Sequence, residues 1–236
     1  MNARRTPRLI SGEREVGIVN PPPSRFRTKI GAASLIVAPA LMSLGDLMHP
    51  PESWDVRAQV AIIAAAATRW YFAHLLLFVG LLLFVPGILV VTKTVARHHP
   101  ALAYASRLLV LASVGALSAV FGFEMVEGGF AARADHAAAV ALLETFNSRV
   151  LIALTPGLLA FFVGTGLFVV PLASTEGPFR RPAVCFGLGA LLILGEIITA
   201  QVILSQVGNV LILLGGIGFA RVLRSEELAS VADVAS

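Results

Sequence analysis

Four side chains carry most of the chemistry this sequence could do: Asp46, His74, Glu124 and Glu196. Each is an acid or an imidazole within or at the edge of a long apolar run. An ionisable group deep in a transmembrane helix costs about 2.5–3.5 kcal/mol on insertion scales, so it needs a partner, water or a task. His49 and Glu127 each follow one of these groups by three residues, which puts Asp46 with His49, and Glu124 with Glu127, on shared helix faces. Gln201 and Asn209 flank the same end of the run that holds Glu196. Converging carboxylates and imidazoles can bind a divalent metal, relay a proton or hold a cationic ligand. Sequence spacing alone does not choose among these, and it names no metal or other cofactor. The partner of Glu196 is expected from another span, His74 or a water cluster, because no opposite charge lies within a turn of Glu196 on its own helix. The competing structural reading makes Asp46, His49, Glu124 and Glu127 ordinary interfacial groups and His74–Glu196 a stabilising pair.

The elements that position these residues are read from composition. The chain has 236 residues, 57% of them apolar and only 14% charged, with a mean hydropathy of +0.84. A soluble domain carries about 25% charged residues. The reading is an all-α polytopic membrane bundle, which excludes a soluble enzyme, a nucleic-acid-binding domain and a disulfide scaffold. The one cysteine, Cys185, has no partner for an intramolecular bridge. Six stretches approach the roughly 20 apolar residues that span a bilayer: 30–48, 70–92, 104–126, 150–172, 183–204 and 208–223. A tight turn around Ser205–Asn209 is expected between the last two. Trp70, Tyr71 and Tyr104 open spans, where aromatic residues mark the membrane boundary.

Charge sets the expected orientation. Of the 18 Lys and Arg residues, Arg57, Arg69, Arg133 and Arg149 fall on one side and the rest on the other. The positive-inside rule then puts both termini in the cytoplasm and places the candidate site residues at the outer side. Residues 1–29 read as a disordered basic tail and 224–236 as a short polar one, on either side of a 30–223 membrane domain. A cleaved signal peptide fits poorly, because the first apolar run ends without a small-x-small site. Segments 55–68 and 134–147 read as short surface helices in two external loops, with Asp55 and Asp135 near their starts. They also match at an offset of 80, with Arg69 on Arg149 and Arg27 on Arg107. An internal duplication and chance matching in Ala-rich sequence both account for that.

The stretches Pro51-Glu52-Ser53-Trp54-Asp55 and Arg69-Trp70-Tyr71-Phe72-Ala73-His74-Leu75-Leu76-Leu77 resemble those of uncharacterised bacterial six-helix membrane proteins. The resemblance implies a multi-pass protein of a bacterial inner membrane, with the lipid bilayer as its partner, and implies no activity. Walker, nucleophile-elbow, His-Glu-x-x-His and Cys-x-x-Cys patterns are absent from the sequence. Three functions therefore stay open. One is an acidic/His pocket in the outer leaflet that binds or passes a small molecule, proton, ion or lipid. Another is a membrane-embedded enzyme using carboxylates as acid and base on a lipid or terpenoid. The third is a structural or assembly subunit.

Overall fold

A computed structural model describes residues 25–53, 55–133, 135–199 and 202–235. Gln201 and residues 1–24 of the basic tail lie outside these. The chain runs through α1 (Arg25–Met48), α2 (Val56–Ala65), α3 (Ala67–Ala96), α4 (Pro100–Ala131), α5 (His136–Ser174), α6 (Arg180–Thr199) and α7 (Val202–Ala235). No strand occurs among the described residues. Six helices are long and apolar enough to cross a membrane. Large apolar side chains such as Leu191, Ile198 and Ile203 stand exposed on the bundle, as helices surrounded by hydrocarbon allow.

Local chemistry explains the joints. The Asp55 carboxylate accepts the Arg57 N–H at 3.0 Å and so caps α2. The helical path breaks at Ala66, with φ −125° and ψ 26°, and resumes at once as α3. Pro100 opens α4 at a position where a missing N–H costs nothing. At about 1.5 Å per residue, α3 with 30 residues and α4 with 32 exceed the roughly 30 Å hydrocarbon layer.

The main core is aromatic. Phe186 of α6 stacks on Phe84 of α3 at 5.6 Å and meets Phe168 of α5 at 5.7 Å and Phe219 of α7 at 6.0 Å. A smaller apolar cluster at the α2 end joins Val60 and Ile63 to Trp70, Ala131, Val140 and Leu143. Close approaches rest on glycine. A Cβ at Gly189 would stand 2.5 Å from the Gly208 carbonyl oxygen, and one at Gly208 would stand 2.7 Å from the Gly189 oxygen. There α6 and α7 touch backbone to backbone. Pro39 has no N–H, so it frees the Leu35 carbonyl from the α1 ladder; that oxygen lies against Gly216 of α7, where any Cβ would overlap it.

The 134–147 segment is helical from His136, at the start of α5. Two expectations change. The tight turn expected at Ser205–Asn209 is helix: these residues form the first turns of α7. The polar stretch after Arg224 continues α7 as far as Ala235. The offset of 80 keeps its register, for α2 begins at Val56 and α5 at His136. It does not repeat the candidate site, because it lays His74 on Leu154 and Glu124 on Leu44.

Candidate functional site

The site is assembled around Trp70. This residue is buried on α3, and its indole N–H donates to the Glu124 carbonyl of α4 at 2.8 Å. The lack of a side chain at Gly128 admits it, since a Cβ there would lie 2.9 Å from Trp70 Cδ1. One turn further along α3, His74 Nδ1 meets the Trp70 carbonyl at 2.8 Å. Trp70 therefore holds the histidine of its own helix through its backbone carbonyl and the backbone of the glutamate on the next through its indole. His74 Nε2 then lies 3.1 Å from Glu124 Oε2.

His49 arrives from the end of α1. The Arg69 guanidinium donates to the carbonyls of Met48 and His49, which ties the last turn of α1 to the start of α3. The His49 ring packs on Trp70 at 4.7 Å and on His74 at 4.8 Å between centroids. Its Nδ1 is 2.8 Å from the Pro50 carbonyl and its Nε2 is 3.3 Å from His74 Nε2. Burial first, then the neighbouring His74 and Arg69, push the His49 imidazole down to about 4, against the opposing pull of the Pro50 carbonyl and Glu124. His49 is therefore neutral near pH 7, and its 3.6 Å contact with Glu52 is not an ion pair there.

The tautomers follow from the carbonyls. A carbonyl only accepts, so Nδ1 of each histidine carries its hydrogen. The two Nε2 atoms are left facing each other, and that of His74 also faces the Glu124 carboxylate. Without a further proton, the His74 Nε2 lone pair would meet a nitrogen lone pair at 3.3 Å and a carboxylate oxygen at 3.1 Å. One proton shared between His74 Nε2 and the Glu124 carboxylate resolves the His74–Glu124 contact, while His74 Nδ1–H is donated to the Trp70 carbonyl. His74 is only 3% exposed, so each of its ring nitrogens needs such a partner.

The other candidates fall in two places. Glu127 is 7% exposed on α4, its Oε1 buried with no hydrogen-bond partner, and it lies near enough to Glu124 and His74 to feel both charges. Asp46 turns away toward α7, where its Oδ2 accepts from Ser205 Oγ and Asn209 Nδ2, each at 3.3 Å. Glu196 interacts electrostatically with Asp46. The His74–Glu196 pair is not formed: His74 is taken by Glu124 and His49. Asp46 and Glu196 thus form a second polar group between α1, α6 and α7, apart from the histidines. Sequence reasoning missed Glu52, Ser205 and the positioning roles of Arg69 and Trp70. The four-residue spacing of Trp70 and His74 was the available signal. Among the described residues, no group of three or more His, Cys, Asp and Glu side chains has an arrangement that could hold a metal ion.

Compared with family models, curated proteins and solved structures, the chain matches none.

Proposed function

We propose that this is a multi-pass protein of a bacterial plasma membrane that binds and releases a proton at His74, within the triad His49–His74–Glu124. The observation that carries this reading is the approach of both His49 Nε2, at 3.3 Å, and Glu124 Oε2, at 3.1 Å, to His74 Nε2, which a proton on that nitrogen satisfies. Aromatic contacts of 4.5–4.8 Å among His49, Trp70 and His74 leave little room between the rings for anything larger. The ligand arrangement disfavours a metal. The positive-inside bias supports cytoplasmic termini, so the triad would answer to pH on the outer face.

The test is nitrogen NMR of histidine-labelled protein in bilayers. The expected result is an imidazolium signal near neutral pH that disappears in His74→Gln. A neutral His74 across pH 5–8, or stoichiometric zinc uptake that shifts both His49 and His74, overturns the reading. Orientation is checked separately. Ser53→Cys in a Cys185→Ser background should label only from the outside of intact cells; labelling only from the cytoplasm reverses the assignment.

A further inference from the structure

Exposure rises stepwise from the buried proton site to water along one line of groups. The side chain of His74 is 3% exposed, that of His49 13% and that of Glu52 69%. The distances are 3.3 Å from His74 Nε2 to His49 Nε2, and 3.6 Å from His49 Nδ1 to Glu52 Oε1. His49 thus presents Nε2 to the buried site, while its Nδ1, bonded to the Pro50 carbonyl at 2.8 Å, has a surface carboxylate as its next neighbour at 3.6 Å. Pro50 and Pro51 follow it directly and restrict its backbone, and Arg69 holds its carbonyl.

Resting on the proton-binding reading of His74, we infer that His49 and Glu52 form the exchange route by which that proton passes to and from water. On release, the His74 Nε2–H proton moves to His49 Nε2 as the His49 Nδ1–H leaves the Pro50 carbonyl and its proton passes to the Glu52 carboxylate, which the exposed side chain brings in from 3.6 Å. His74 is left neutral with its proton on Nδ1, His49 is left as the Nε2–H tautomer, and Glu52 is left as the acid, which gives its proton to water. Uptake is the reverse. No charge is left on His49 at either end of the step. The released state turns the Nδ1 lone pair of His49 toward the Pro50 carbonyl, and that repulsion favours the return of the proton.

The other charged groups around the line fit this assignment. Arg69 faces the His49 backbone from α3. Glu124 accepts from His74 on α4, and Glu127 lies beside that pair with Oε1 buried. Asp46 is engaged with Ser205 and Asn209 on α7, and Glu196 of α6 interacts electrostatically with Asp46 and with Glu52. Glu52 feels the charges of Glu124, Glu196, His74 and Asp46, and of these carboxylates it is the one in contact with His49 Nδ1.

The experiment measures the exchange rate of the His74 Nε2 proton with water in full-length protein in nanodiscs, by NMR line broadening near neutral pH. Glu52→Gln, at an exposed position, should slow exchange by about tenfold or more, in the range of one positioned acid–base group, while His74 still carries its proton. Added acetate should restore part of the rate in Glu52→Gln and not in His49→Phe. An unchanged rate in Glu52→Gln overturns the route and leaves the proton site standing. Absence of the His74 proton in the unsubstituted protein overturns both.

Discussion

His49 and His74 face each other through their Nε2 atoms at 3.3 Å, although 25 residues and a helix end separate them. Each ring has its Nδ1 committed to a backbone carbonyl, Pro50 for one and Trp70 for the other. The contact therefore fixes a protonation pattern as well as a packing arrangement. It also gives the two rings opposite behaviour. His74 has a carboxylate and two further acceptors around it, whereas at His49 burial and the neighbouring His74 and Arg69 outweigh the Pro50 carbonyl and Glu124 and oppose a charge.

The first prediction follows from His49. Its folded value of about 4 lies below the ordinary 6.5. Between those limits the unfolded chain binds more protons at this residue, so its contribution makes stability rise with pH. Acidification from pH 6.5 to 4 should remove up to about 3 kcal/mol through this group. The side chain is only 13% exposed, so solvent screening reduces that little. Thermal melting in detergent at pH 4.5 and 7.5 checks it. His49→Gln should show a smaller fall in Tm on acidification than the unsubstituted protein; an equal fall would place the acid sensitivity elsewhere.

Glu127 gives the second prediction. Its buried Oε1 has no hydrogen-bond partner, and it shares its surroundings with the Glu124 carboxylate. Removing a buried polar group that lacks a partner relieves a desolvation cost of about 1–3 kcal/mol. Glu127→Met keeps a similar volume and a flexible side chain. We expect Tm to hold or rise, with the His74 imidazolium retained. A Tm lowered by several degrees would show that the carboxyl is a member of the network rather than a strained neighbour of it.

How far the sequence reveals this site can be seen residue by residue. His74 and Glu124 stand out because an ionisable group in an apolar helix is costly wherever it points. The six long helices follow from hydropathy for a related reason, since each must satisfy its backbone within itself. Partnership is harder to see. Glu196 and His74 look complementary as isolated charges, yet the Trp70–Glu124 hydrogen bond joins α3 to α4 and brings Glu124 to His74 first. Ser205, Gly208 and Asn209 have turn-forming composition. They are helical because Gly208 meets Gly189 across the α6–α7 contact, and because Ser205 and Asn209 are four apart and both reach Asp46. Tertiary contacts decided those residues, and local propensity could not show it.

The last prediction concerns what keeps α1 at the height where His49 reaches His74. Pro39 releases the Leu35 carbonyl, and Gly216 is the residue of α7 that lies against it. Leu35 is 1% exposed, so a displacement of α1 at this contact disturbs the core packed on that face. A methyl group at position 216 must push α1 and α7 apart or slide one along the other. Forced overpacking of this kind costs about 1–3 kcal/mol. Gly216→Ala should therefore lower Tm. It should also weaken the His49–His74 contact at the far end of the same helix, read as a change in the His49 nitrogen shifts. Gly166 has no atom within 4 Å of its Cβ position, so Gly166→Ala should leave both readouts unchanged. If Gly216→Ala is as silent as Gly166→Ala, the α1–α7 contact does not set the register of His49.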